Sequence, residues 1–194
     1  MVVVTGLLAL GDHRPGLGFP AANTSILVDS PARDPIFQTE VPLDRSRWQG
    51  IVIHHSGEPG GDPESIRRLH MGYGAKAMGY HFLVGNGNGM GDGVVHVGER
   101  WITQEPGWHT VGPYTDYYNQ RTIGICLVGN GDRRRFTDRQ ITQLISLVRR
   151  LQRQLNIPPS AVRLHRDVAP DLTGSPGTHF PTAVLDQQVV NPLR

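Results

Sequence analysis

Cysteine and lysine are nearly absent from this chain of 194 residues, which contains one of each, Cys126 and Lys76. A single cysteine excludes an intramolecular disulfide framework and any metal site built from several cysteines. It is compatible with either side of a membrane. Long apolar runs are also missing, since no stretch of the sequence reaches the roughly 18–20 residues that a membrane-spanning helix needs.

Excess charge is scarce as well, because 19 basic residues against 17 acidic ones give a formal net charge of +2. Nucleic-acid-binding domains typically carry a basic stripe, often with aromatic residues that stack on bases. The one arginine cluster, at residues 133–135, has no interleaved aromatic residue. We therefore expect no nucleic-acid partner and interpret the cluster as a solvated turn. The alternative is that the cluster holds the protein near an anionic polymer.

The first 46 residues differ from the rest of the chain. Residues 2–10 are apolar, but no lysine or arginine precedes them, so they are at most the remnant of a secretory signal. An edge strand or a disordered terminus is the alternative. Prolines punctuate residues 13–43, where residues 25–29 are a candidate strand. We predict an extended arm over residues 1–46, lying on a domain formed by residues 47–190.

The remaining chain alternates between strand and helix patterns. Five segments are predicted as strands, at residues 51–55, 80–84, 94–97, 122–128 and 161–165. Asp62 followed by Pro63 predicts a helix start. A second helix is predicted from a capping box at Thr137 to a stop at Asn156. The expected fold class is α/β, a single domain with a central mixed β-sheet flanked by helices.

Nine histidines provide the chain's main supply of metal-binding groups. Two of them, His54 and His165, lie at the ends of predicted strands. Ligand sites of open α/β sheets form at strand ends, and neutral imidazole is a usual zinc ligand. The pair is therefore a candidate zinc site. The alternative is that both are ordinary strand residues, hydrogen-bonded to the backbone.

Five short strings occur in a fixed order along the chain. They are IVIHHS at 51–56, MGYHFL at 78–83, GWH at 107–109, NQRTIGICLVG at 119–129 and LHRDVAP at 164–170. Together they resemble the zinc-dependent type-2 N-acetylmuramoyl-L-alanine amidases. This superfamily includes phage lysozymes of the amidase kind and peptidoglycan recognition proteins. The resemblance covers residues 47–185.

The resemblance implies a Zn²⁺ cofactor held by His54, His165 and a third residue. In the family the third ligand is a cysteine or an aspartate before Pro-Gly, and this chain has Ser175 there. A hydroxyl brings no formal charge to offset that of the metal. Three explanations stay open: Ser175 is a weak ligand, Asp171 or a water replaces it, or the protein binds wall fragments without cutting them.

The implied reaction is hydrolysis of the amide bond between N-acetylmuramic acid and L-Ala. Tyr80 matches the family's catalytic tyrosine, which would donate a hydrogen bond to developing charge; an ordinary strand tyrosine is the alternative. Thr173 would hydrogen-bond the intermediate or only form a turn. Cys126 is expected to be a buried apolar residue and not a nucleophile.

His70, His109 and Asn119 fall on positions that resemble substrate contacts in the recognition proteins. The expected partner is peptidoglycan or a muropeptide, bound by a monomer without a membrane span. The expected location is the cell envelope or the secreted fraction, with the cytoplasm as the alternative. A peptidoglycan-binding module without catalysis is the alternative function.

Overall fold

The protein is described by a computed structural model over residues 34–190. The strands are β1 (Gly50–His55), β2 (Phe82–Val84), β3 (Val95–Val97), β4 (Thr122–Leu127) and β5 (Val162–Leu164). The helices are α1 (Pro63–Gly72), α2 (Glu99–Ile102), α3 (Thr115–Arg121), α4 (Asp138–Leu155), α5 (His165–Val168) and α6 (Thr182–Leu185). Short helical turns are formed by Pro35–Phe37, Pro159–Ala161 and Asp186–Val190.

The strands form one mixed sheet in the order β3-β2-β4-β1-β5. β1 runs parallel to both of its neighbours, β4 and β5, and β2 runs parallel to β4. β3 alone is antiparallel to its neighbour. Because β1 and β4 lie inside the sheet with both faces covered, they are buried almost throughout, as parallel strands usually are. The predicted α/β class with a central mixed sheet is confirmed.

Helix α4 covers one face of the sheet. Thr137 and Gln140 form the predicted capping box, and Asn156 ends the helix in the left-handed region at φ 58°. One stripe of the helix enters the main hydrophobic core through Leu144, Ile145, Leu147, Val148, Leu151 and Leu155. Both ends of α4 therefore lie where the sequence predicts them.

Helix α1 begins as predicted, and a second, smaller core borders it. The Asp62 side chain accepts the Ser65 N–H at 2.7 Å, with Pro63 at the first helical position. The smaller core consists of Ile66, Met78, Tyr80, Leu83, Cys126 and Val128. His54 pairs with Cys126 across β1 and β4, and paired residues point to the same face of a sheet. His54 therefore lies on the side of the sheet that carries this smaller core.

Three short helices, α2, α3 and α5, have no counterpart among the predicted elements. The predicted fifth strand ends one residue early, because α5 begins at His165. An Asp167 carboxylate oxygen accepts the Leu164 N–H at 3.2 Å across this junction. The carboxylate thus caps the first turn of α5, and His165 is held at a helix start directly after the strand.

Residues 34–46 of the predicted arm lie within the described part of the chain. Ile36 is buried in the main core, and Asp34 forms an ion pair with Arg150 of α4. The candidate strand at 25–29 and the apolar residues 2–10 lie outside the described residues. Between residues 34 and 190, none of the helices combines the length and apolar composition that crossing a membrane requires.

Candidate active site

Two imidazoles meet where strands β1 and β5 end. These strands are adjacent and parallel, so their carboxyl ends lie at the same edge of the sheet. His54 is the penultimate residue of β1, and His165 directly follows β5. Their ring centroids are 4.4 Å apart. The fold therefore brings together the two histidines that the sequence singles out, although they lie far apart in the chain.

Burial keeps both imidazoles in the neutral form. His54 is 1% exposed and His165 is 8% exposed. Burial, reinforced by His165 and His109, lowers the pKa of His54 well below its ordinary value of 6.5. Burial and the nearby His55 lower the pKa of His165 to about 4. At neutral pH both rings carry a free lone pair, which is the form that binds a metal.

One atom of this pair lacks a partner. Within residues 34–190, the Nε2 atom of His165 is the single buried side-chain nitrogen or oxygen that makes no hydrogen bond. A buried polar atom normally has a partner, because leaving it unpaired costs about 1–3 kcal/mol. A metal ion or a water beside His165 would satisfy it.

Ser175 lies next to β1 and is only 5% exposed. Its Oγ accepts the backbone N–H of His55 at 3.0 Å, and its own N–H donates to Thr173 Oγ1 at 3.1 Å. The neighbouring Asp171 is exposed. These two hydrogen bonds tie residues 173–175 to the end of β1. Ser175 is therefore buried beside the residue that follows His54, whereas Asp171 lies on the surface.

The donor set at this edge consists of two neutral imidazoles and a hydroxyl. No group of three or more histidine, cysteine, aspartate or glutamate side chains is arranged to hold a metal ion in the described part of the chain. His54 and His165 are suitable zinc ligands, because both are neutral imidazoles. The unpaired Nε2 of His165 is free to coordinate a metal ion. Ser175 would be the weakest ligand of this set, because its hydroxyl supplies no negative charge.

Tyr80 lies beside the histidine pair. Its ring centroid is 5.2 Å from that of His54 and 4.8 Å from that of His70. Burial, reinforced by the neighbouring Cys126, raises the pKa of the Tyr80 phenol well above its ordinary value of 10. Burial likewise raises the pKa of Cys126. Tyr80 is therefore a protonated hydrogen-bond donor, and Cys126 is buried and protonated as expected of a residue that is not a nucleophile.

His70 lies at the outer edge of the same cluster. Its Nδ1 accepts the Gly79 N–H at 2.8 Å, which fixes the ring against the segment that carries Tyr80. Its ring centroid is 5.8 Å from that of Trp108, a side chain that is 41% exposed. The pair forms the boundary between the buried cluster and the surface. Trp108 is not among the predicted site residues, and its place beside His109 in the GWH string is the signal that the sequence offers.

His109 and Asn119 are buried behind the histidine pair. Nδ1 of His109 lies 3.1 Å from Nε2 of His54, and Nε2 of His109 lies 3.3 Å from the Thr122 carbonyl oxygen. Asn119 Oδ1 accepts the backbone N–H groups of His109 and Thr110 at 2.9 and 3.0 Å. Both predicted substrate contacts therefore make protein contacts of their own, directed at His54 and at the loop carrying His109.

His55 is a further residue of this edge that sequence reasoning left without a role. Its ring Nδ1 accepts the Gly131 N–H at 3.0 Å, while its backbone holds Ser175. Its position directly after His54 in the IVIHHS string was the signal available in the sequence. His55 thus connects the end of β1 to two separate loops.

Comparison with known proteins gives a consistent result. Residues 44–178 match the model of a family described as N-acetylmuramoyl-L-alanine amidase. The endolysin of Enterobacteria phage T3 is 30% identical over 134 residues, which cover 65% of this chain and 80% of the endolysin.

Solved structures agree with this match. The amidase LysC from Clostridium intestinale URNW has 30% identity and a TM-score of 0.61, covering 75% of this chain and 88% of that chain. A complex of peptidoglycan recognition proteins LCa and LCx with tracheal cytotoxin has 27% identity and a TM-score of 0.56, covering 71% of this chain and 81% of that chain.

Proposed function

Because the chain belongs to the N-acetylmuramoyl-L-alanine amidase family, we propose that it hydrolyses the amide bond between N-acetylmuramic acid and L-Ala of peptidoglycan. Zinc is the proposed cofactor. The observation that carries the proposal is the pair of neutral, buried imidazoles of His54 and His165 at adjoining strand ends, with a buried nitrogen that lacks a partner. The match to a phage endolysin supports a wall-degrading hydrolase.

In this proposal zinc is held by His54 and His165, and Ser175 occupies the third position. When bound, zinc supplies Lewis acidity toward a water and toward the amide carbonyl. The protein holds these three side chains in place even without the metal. Ser175 is fixed by His55 and Thr173, and the histidines are kept unprotonated by burial.

Tyr80 has the properties of an electrostatic stabiliser. A phenol that stays protonated at neutral pH can donate a hydrogen bond to an amide oxygen as negative charge develops on it. Thr173 Oγ1 accepts the Ser175 N–H, which leaves its own proton available to a substrate oxygen. Both residues are proposed to hold the reacting amide in place, and only Tyr80 is already buried among the histidines.

The proposed substrate is peptidoglycan or a muropeptide, which approaches past the boundary formed by His70 and Trp108. The exposed indole of Trp108 offers an apolar face on which a sugar ring can pack. The adjacent imidazole of His70 offers a hydrogen-bonding edge for its hydroxyl groups. The complex of recognition proteins LCa and LCx was solved with tracheal cytotoxin, which is a monomeric peptidoglycan, and this supports a muropeptide ligand.

A second candidate is recognition of peptidoglycan without hydrolysis. The observation that favours it is Ser175, whose neutral hydroxyl already accepts a hydrogen bond from the His55 backbone. Such a group competes poorly with thiolate or carboxylate for zinc. In this alternative the histidine pair remains, and the site binds wall fragments without cutting them.

Two measurements on the full chain separate these functions. Metal analysis is expected to show about one zinc per chain, lost in His54→Ala and in His165→Ala. His96→Ala is the matched control, because His96 lies on β3 at the far edge of the sheet. Incubation with purified cell wall is expected to release new L-Ala amino termini. Zinc binding with no release would leave only the recognition function, and absence of zinc would contradict the proposed cofactor.

The third position is tested by substitution of Ser175. We expect Ser175→Cys to raise zinc affinity, because a thiolate adds the negative charge that the hydroxyl lacks. Ser175→Ala serves as the comparison, since it removes the hydroxyl and adds no charge. Identical zinc affinity in the wild type and the cysteine variant would place the third ligand elsewhere.

A further inference from the structure

The contact between His54 and His109 fixes which nitrogens carry protons. His109 Nε2 faces the carbonyl oxygen of Thr122 at 3.3 Å, and a carbonyl can only accept. His109 therefore carries its proton on Nε2, and its Nδ1 is an acceptor. That acceptor lies 3.1 Å from Nε2 of His54, so His54 must carry its proton on Nε2. Only this assignment makes both contacts hydrogen bonds.

The assignment leaves Nδ1 of His54 with a free lone pair. Both rings are buried, with His54 1% and His109 6% exposed, and a neutral imidazole carries its proton on one nitrogen while the other is an acceptor. The hydrogen bond of the His54 ring to His109 is made by Nε2, which lies on the opposite side of the ring from this lone pair. The nitrogen facing away from His109 is thus the one prepared to coordinate.

The position of His109 is fixed from two sides. Asn119 Oδ1 accepts the backbone N–H of His109 at 2.9 Å, that of Thr110 at 3.0 Å, and the Thr110 hydroxyl at 3.2 Å. A single carboxamide oxygen therefore ties down the loop that carries the imidazole. On the other side the ring lies against Gly124 of β4, where a Cβ atom would come within 2.5 Å of His109 Cδ2. A side chain at residue 124 would push the imidazole away from His54.

We propose that His109 is a positioning residue, which fixes the tautomer and ring orientation of His54, and that Asn119 and Gly124 hold His109 in place for this purpose. The chain of contacts runs from His54 through His109 to the Thr122 carbonyl. A metal-binding histidine generally donates its other N–H to such a partner, and loss of the partner weakens metal binding about 10–100-fold. The effect on zinc rests on the proposed function, whereas the tautomer is a property of the metal-free protein.

The tautomer is measured on the metal-free full chain by long-range ¹H–¹⁵N correlation spectra of the imidazoles. The wild type is expected to show His54 and His109 each protonated on Nε2 alone. His109→Ala is expected to turn His54 into a mixture of tautomers. His109→Gln is expected to restore the single form, because the carboxamide oxygen can accept from His54 and its nitrogen can donate to Thr122. A wild-type His54 protonated on Nδ1 would overturn the proposal without any variant.

Zinc and ligand binding distinguish positioning from substrate contact. We expect His109→Ala to weaken zinc binding about 10–100-fold and His109→Gln to stay within a few-fold of the wild type. Affinity of the metal-free variants for a purified muropeptide is expected to be unchanged. Weaker muropeptide binding with unchanged zinc affinity would identify His109 as a substrate contact and overturn the proposal. If the wild type binds no zinc, the proposed cofactor fails, while the tautomer spectra still decide the role of His109.

Discussion

The fully buried His81 makes the stability of this protein depend on pH in a predictable direction. Its Nδ1 accepts the Gly124 N–H at 2.9 Å, and its Nε2 donates to the Glu105 carbonyl at 3.1 Å. The side chain has no exposed surface, and burial lowers its pKa from 6.5 to about 3. A protonated ring could no longer accept from Gly124, so acid removes one of the two hydrogen bonds.

The sign follows from which state binds the proton. Below about pH 6.5 the unfolded chain protonates His81, whereas the folded protein resists protonation until about pH 3. The stabilising contribution is therefore complete above about pH 6.5 and is lost as the pH falls toward 3. The loss is about 1.4 kcal/mol per pH unit, or roughly 2 kcal/mol between about pH 6 and pH 4.5. Against a typical total of 5–15 kcal/mol this is a measurable fraction.

Urea unfolding at a series of pH values tests this prediction. His81→Gln keeps one hydrogen-bond acceptor and one donor but does not titrate. Between about pH 6 and pH 4.5, the slope of its free energy of unfolding against pH should therefore be smaller than that of the wild type by about 1.4 kcal/mol per pH unit. The comparison of slopes is independent of any loss of packing at neutral pH. His179→Gln is the control, because His179 is exposed. Parallel curves for the wild type and His81→Gln would refute the reasoning.

Three further substitutions probe the fold and the site. Thr137→Ala removes the N-cap of α4 and should lower the free energy of unfolding, measured with urea, by about 1 kcal/mol. The control Thr142→Ala, on the exposed surface of the same helix, should change it by less than about 0.5 kcal/mol. Leu147→Ala creates a cavity in the core and should cost about 2–5 kcal/mol in the same assay; a smaller loss would mean that the core collapses around it. Gly124→Ala should displace His109 and weaken zinc binding; unchanged zinc affinity would contradict the close packing.

The sequence predicts α4 and the histidine pair for different reasons. The helix follows from local signals, since the capping box at Thr137, the apolar spacing and Asn156 all agree. The candidate pair of His54 and His165 follows from a rule about sheets, because ligand sites of open α/β sheets form at strand ends. That their two strands are parallel neighbours is shown by the structure. Neither conclusion requires knowledge of the connecting loops.

The unpredicted helices lack such signals. α3 begins after Tyr114 with no side-chain cap, and its polar sequence, with the single buried residue Asn119, has no apolar stripe. α2 and α5 have four residues each, little more than one helical turn, which is too short for apolar residues to recur at helical spacing. Their positions are set by tertiary contacts and not by local preference.

The contacts of His109 could not be predicted from spacing for a similar reason. The loop that carries it is placed by Asn119, ten residues later in the chain. The space for its ring exists because β4 has a glycine at residue 124. In the sequence, Gly124 is one small residue in an apolar strand. That it makes room for the His109 ring can be recognised only from the structure, where the loop lies against β4.

The strand order has a consequence for how the chain acquires its site. Ile51 of β1 pairs with Ile123 and with Val162, which are both distant along the chain. Contacts of such high sequence separation form slowly, because long loops must close first. During synthesis β1 leaves the ribosome well before either neighbour, and its unpaired edges are open to other chains. Until residues 162–165 emerge and pair, His54 stands at an open edge of the sheet without its partner imidazole.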